Sequence, residues 1–136
     1  MSITEQVRLA REASLKLAVL STKIKNNALN EIAKAISNNS RLIINENKKD
    51  IEAAEKSKLS DVLVKRLEID ENKINEMIDE IKKVAKLEDP VGKILSQTEL
   101  DKGLMLYQVT CPIGVIGAIF ESRPDVVPQI SALCLK

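Results

Sequence analysis

The chain has 136 residues, 44% hydrophobic and 30% charged, with 21 basic and 20 acidic residues and a formal net charge of +1. So even a balance leaves no electrostatic footprint for nucleic acid or an anionic membrane, and the absence of histidine removes the commonest general base and metal ligand near neutral pH. The two cysteines, Cys111 and Cys134, have no Cys-x-x-Cys spacing, which argues against a zinc site and a disulfide framework and suits a reducing compartment.

The N-terminus, Met1 to Arg8, is polar and amphipathic and lacks a signal-peptide core. No run reaches the roughly 20 apolar residues of a membrane span. The first 89 residues contain no Gly, Pro, Phe, Tyr or Trp and read as a helical array. Val7, Ala10, Leu17 and Leu20 recur at helical spacing. Ser21 or Thr22 caps a second helix with Ile24, Ala28, Leu29, Ile32, Ala33 and Ile36 on one stripe. Asn38, Asn39 and Ser40 break it and start a third, with Ile43, Ile44, Ile51 and Ala54 inward. Ser60 or Asp61 opens a short helix carrying Leu63 and Leu67. Asp70 opens the clearest one, with Ile74, Met77, Ile78, Ile81, Val84 and Ala85 on one face. Glu71 in its first turn and Lys82, Lys83 and Lys86 toward its end suit the helix dipole.

From Pro90 onward the period changes. All four glycines, all four prolines and both aromatics lie here. The alternation from Leu104 to Thr110 predicts a strand, and Asp101-Lys102-Gly103 turns the chain back on a shorter strand around Ile94 to Thr98. The continuous apolar run from Ile113 to Phe120 predicts a strand covered on both faces, with Gly114 and Gly117 for close backbone approach. These glycines lie inside the run rather than in a turn after it, so they are a poor dinucleotide fingerprint. Pro124 to Lys136 follows as a helix with Val126, Val127, Ile130, Leu133 and Cys134 buried. Cys134 has no histidine to activate it and reads as a small buried hydrophobe. Cys111 reads as a packing residue.

Chemistry concentrates where the apolar run ends in Glu121, Ser122, Arg123 and Pro124. A strand delivering polar groups to a helix N-terminus is how open α/β sheets build ligand crevices. The free N–H groups and the forked Arg123 guanidinium suit an anionic small molecule. The plainer alternative makes Ser122 a helix cap, Pro124 a first-turn proline and Glu121–Arg123 a local ion pair. The carboxylates of the helical part show no pairing for acid–base work.

The block from Pro112 to Val126, Pro-Ile-Gly-Val-Ile-Gly-Ala-Ile-Phe-Glu-Ser-Arg-Pro-Asp-Val, and the ending Ala-Leu-Cys-Leu-Lys at 132–136 resemble the gamma-glutamyl phosphate reductase (glutamate-5-semialdehyde dehydrogenase) family. That family lies within the aldehyde dehydrogenase superfamily. Ala-Arg-Glu-Ala-Ser at 10–14, Asn-Lys-Lys-Asp-Ile-Glu-Ala-Ala at 47–54, Arg66-Leu67 and Asp-Pro-Val-Gly at 89–92 extend the resemblance along the chain. It implies an α/β parent fold, of which this chain supplies a mostly α portion: a helical array, a hairpin, one buried strand and a helix. Residues 1–89 would be helices of the cofactor domain, 90–112 a hairpin that helps pair subunits, and 113–136 the first strand–helix unit of the nucleotide-binding sheet.

The family is an oxidoreductase of proline biosynthesis. It reduces L-glutamate 5-phosphate with NADPH to the 5-semialdehyde and phosphate, through a cysteine thioester. The resemblance implies a cytoplasmic homo-oligomer with an anionic small-molecule substrate and no nucleic-acid, membrane or metal partner. It places Glu121, Ser122, Arg123 and Pro124 near substrate and cofactor. Arg123 falls close to where many aldehyde dehydrogenases carry an oxyanion-stabilising asparagine. Neither Cys111 nor Cys134 matches the family's nucleophile, so the chain reads as an N-terminal fragment. It is expected to be inactive alone and to expose the apolar sides of the 113–120 strand. A stand-alone helical interaction module, self-associating through the hairpin, is the competing reading.

Overall fold

A computed structural model describes residues 1–121 and 123–136. The elements in chain order are α1 (Ile3–Leu17), α2 (Thr22–Asn38), α3 (Ser40–Lys56), α4 (Asp61–Leu67), α5 (Glu71–Lys86), β1 (Ile94–Asp101), β2 (Leu104–Val109) and α6 (Val126–Leu135). They fall into two compact units, one of Ser21–Leu87 with Gly117–Lys136 and one of Met1–Leu20 with Glu88–Ile116.

The first unit holds the core. The stripe predicted on α5 buries Ile74, Met77, Ile78, Ile81 and Ala85, and α2 answers with Leu29 and Ala33. Leu29 and Ile81 are almost wholly out of solvent. Ala132 of α6 closes the cluster, and Ile32, Ile36, Ile43 and Ile44 pack around it. The predicted punctuation holds. Asn39 ends α2, its side-chain amide donating to the Ala35 carbonyl at 2.8 Å. Asp70 caps α5, its Oδ1 accepting from the Lys73 amide at 2.8 Å.

Two features were invisible to periodicity. Helix α3 ends in a Schellman turn: Leu59 N–H donates to Ala54 O at 3.1 Å and Lys58 N–H to Glu55 O at 2.9 Å. That turn needs a left-handed residue, ordinarily glycine, and here Lys58 adopts φ +54. Asn47 is buried on α3 and reaches the linker between α4 and α5. Its Nδ2 donates to Leu67 O at 2.9 Å, and its Oδ1 accepts from the Ile69 amide at 2.7 Å. One side chain thereby satisfies two backbone groups of the crossing, the Ile69 amide buried and the Leu67 carbonyl part-buried. The end of α6 is tied down similarly, with Lys136 Nζ donating to Asn26 Oδ1 at 2.6 Å and Ala85 O at 3.1 Å.

In the second unit, α1 is capped by Ser2, whose Oγ accepts from the Glu5 amide at 3.2 Å, and it buries none of its residues. Strands β1 and β2 form an antiparallel hairpin from Ile94↔Val109 to Asp101↔Leu104, with register shifts near both ends. Gly103 at φ +80 makes the turn, a conformation that costs glycine little. At the open end Thr110 N–H donates to Lys93 O at 2.9 Å, and Thr110 Oγ1 donates to Pro90 O at 2.6 Å. Both hairpin faces are solvent-accessible.

Several expectations need correction. The buried strand over 113–120 is not formed: this segment has no regular structure and every residue in it is exposed. A strand exists only against a ladder partner, and β1 and β2, the strands among the described residues, pair with each other. The expected exposure of its apolar side chains is found, with Ile113 and Ile119 almost fully solvated. Helix α6 starts at Val126 rather than Pro124. It buries Val126 and Ala132, whereas Val127, Leu133 and Cys134 are exposed. Apart from Gln129 and Ser131 it is apolar on every side, so periodicity cannot select its inner face; the packing on α5 and α2 does. Cys111 is exposed as well.

Candidate functional site

The corner singled out in the sequence lies just before α6. Glu121 is exposed, and Ser122 lies outside the described residues. Pro124 precedes the N-cap residue Asp125, and the proline within the first turn is Pro128, where a missing N–H costs nothing. Arg123 is about half exposed and pairs with Asp125, Nη2 to Oδ2 at 3.0 Å, rather than with Glu121. The other oxygen of Asp125 is buried without a hydrogen-bond partner among the described residues.

Arg123 does not act alone. It lines an open cleft of about 740 Å³ with Val62, Lys65, Arg66, Lys73 and Asp125. The side chains come from three places: the exposed side of α4, the first turn of α5 and the approach to α6. Each position has a local cause. Lys65 and Arg66 stand at the end of α4, where cations suit the dipole. Lys73 is held by Asp70, which accepts from its amide, while its own Nζ donates to Glu68 O at 2.8 Å. Asp125 steadies the Arg123 guanidinium. The cleft thus collects four cations against one carboxylate. A neighbouring groove lined by Glu55, Asp61, Lys65 and Glu68 carries the opposite excess.

Sequence reading found Arg123 but missed Lys65, Arg66 and Lys73 as its companions. They are separated from it by 50 residues or more, and only the packing of α4 and α5 beside the start of α6 brings them together. The Lys65-Arg66 pair was the available signal, since two consecutive cations on a seven-residue helix cannot both follow the buried stripe. Gly114 and Gly117 lie in the exposed 113–120 segment with nothing within 4 Å of an added Cβ, so the expected close backbone approach at these glycines is not made. The described residues also hold no cluster of three or more metal-ligating side chains, and no helix is long and apolar enough to cross a membrane.

No family model matches the chain. The gamma-glutamyl phosphate reductase of Acetivibrio thermocellus is 53% identical over 136 residues, which is all of this chain and 32% of that protein. This chain resembles gamma-glutamyl phosphate reductase along its entire length. The Methanosarcina barkeri reductase is 52% identical over 138 residues, covering 98% of this chain and 31% of its own. The crystal structure of the Saccharomyces cerevisiae reductase superposes with a TM-score of 0.93 at 43% identity, over 99% of this chain and 35% of that one. The Thermotoga maritima reductase gives 0.93 at 35% identity, over 97% and 32%. The chain spans about a third of the length of the curated reductases it matches. The likeness to solved reductases agrees with a helical portion of an aldehyde-dehydrogenase-like fold.

Proposed function

We propose that this chain is the N-terminal part of an NADPH-dependent reductase that converts L-glutamate 5-phosphate to L-glutamate 5-semialdehyde and phosphate in proline biosynthesis. The observation that carries the reading is 53% identity to a reductase of that name across all 136 residues. In this reading residues 1–89 are helices of the cofactor domain, 90–112 pair subunits of a cytoplasmic homo-oligomer, and 113–136 begin the nucleotide-binding sheet. Glu121, Ser122, Arg123 and Pro124 stand next to substrate and cofactor. The exposed apolar segment 113–120 supports that placement, because such a run becomes favourable when other strands cover it.

The chain's own contribution is then electrostatic. Arg123, oriented by Asp125, offers a fixed guanidinium to the substrate's negative charge. The nucleophilic cysteine and the cofactor cradle belong to polypeptide outside these 136 residues, so the piece alone is inactive. The test is an assay of two proteins, this chain and the same chain joined to the remaining two thirds of the Acetivibrio thermocellus relative. Phosphate-dependent reduction of NADP⁺ by glutamate 5-semialdehyde is expected only from the joined protein. A folded joined protein with no such activity would refute the assignment.

A further inference from the structure

We infer that Lys65, Arg66 and Lys73 complete, with Arg123, a binding site for a phosphate dianion. The cleft they line is concave, about 740 Å³ in volume, and carries four cations against the single carboxylate of Asp125. Its cations differ in role. Arg123 is committed to Asp125 through one nitrogen and keeps its remaining N–H groups for a second acceptor, as a five-donor fork allows. Lys73 gives one proton to Glu68 O and retains two. Lys65 and Arg66 have neither an ion pair nor a hydrogen bond among the described residues.

Four cations on one concavity repel one another even with Asp125 beside Arg123 and the acidic groove that Lys65 also lines, and an anion between them relieves that repulsion. A phosphate offers three terminal oxygens to donors carried by α4, α5 and the α6 approach, whereas a carboxylate presents two oxygens in one plane. Among the described lining residues Val62 is the one apolar residue, itself exposed, and the stems of the Lys and Arg side chains supply the rest of the apolar wall. The assignment of this phosphate to the substrate rests on the reductase reading; the anion site itself rests on the cleft.

The experiment titrates the ¹⁵N-labelled 136-residue chain with inorganic phosphate at pH 8 and low salt, where phosphate is a dianion and screening is weak. Amide shifts are expected to concentrate at residues 62–73 and 123–126. The double variant Lys65→Gln/Arg66→Gln is expected to bind about tenfold more weakly or worse. The variant Lys16→Gln/Lys48→Gln, with the same loss of charge on solvated helix faces, is expected to match the wild type. Shifts spread over all lysines, or equal weakening in both variants, would overturn the site. Adenosine 2′-monophosphate, run beside inorganic phosphate, separates the two sources of the group. Equal affinities assign the phosphate to the substrate, and a gain of tenfold or more for the nucleotide would reassign it to the cofactor. Because binding is read without turnover, a failed titration and an inactive joined protein are separate results.

Discussion

Replacing Asn47 by alanine should cost the helical unit a large part of its stability. The side chain is 4% exposed and holds two backbone groups, the Leu67 carbonyl at 2.9 Å and the Ile69 amide at 2.7 Å. Ile69 is itself a core residue, so water reaches its amide poorly once the partner is gone. Leaving a buried donor or acceptor unpaired costs about 1–3 kcal/mol each. Since the Leu67 group is only part-buried, the sum is about 2–4 kcal/mol. Against a total of about 5–15 kcal/mol for an ordinary domain, that is a serious loss. Urea unfolding followed by helix circular dichroism should show the midpoint falling by about 1–2 M with an unchanged slope.

The isosteric Asn47→Asp variant tests the same geometry through pH. At neutral pH it turns a donor into a carboxylate oxygen facing the Leu67 carbonyl, in a site that also disfavours charge. The folded-state pKa of the new carboxyl should therefore rise above the unfolded value of about 3.9. Relative to wild type the variant regains stability as pH falls through the raised folded value, and the recovery is complete below the unfolded one. An alanine variant whose midpoint moves by less than about 0.3 M, or an aspartate variant with no relative recovery in acid, would refute the account.

Truncating Leu29, which is fully buried, to alanine should destabilise by about 2–5 kcal/mol, whereas Ile24→Ala on the same helix, at a half-exposed position, should cost less than about 1 kcal/mol; paired urea curves measure both. Lys58→Gly should stabilise by about 0.5 kcal/mol, because relief of the left-handed backbone exceeds the added freedom of the unfolded chain; an unchanged or lower midpoint would argue against it. The Glu5 carboxyl is held below its ordinary value by its hydrogen bond to Arg8. Its contribution to α1 is present above the unfolded pKa and lost as pH falls through the lowered folded one. Carboxyl NMR titration should show the midpoint rising toward the ordinary value in Arg8→Ala.

Residues that act locally were legible in the sequence. Asn39 and Asp70 announce helix boundaries because their side-chain bonds are satisfied within four residues, Ser60 marks the start of α4 without a side-chain cap bond, and the α5 stripe is legible because one neighbour covers one face. Lys58 was not, since its left-handed turn falls on a residue type that rarely adopts it. Asn47 was not, because its partners lie 20 and 22 residues away. The 113–120 run was read as a strand from its apolarity alone, but strand formation is a property of a pair. Arg123 was found through its neighbours in sequence. Lys65, Arg66 and Lys73 were missed because their convergence is set by how three helices pack.

The chain has one tyrosine and no tryptophan, and that tyrosine, Tyr107, sits on β2 opposite Gln97. A two-stranded ribbon is marginal in water, whereas α2, α5 and α6 share a continuous core. Intrinsic fluorescence therefore reports the ribbon, while ellipticity at 222 nm is dominated by α2 to α6 of the other unit. Two spectroscopic signals from a single sample give two separate denaturation curves, so fitting either one to a single transition for all 136 residues would assign the wrong enthalpy to both parts.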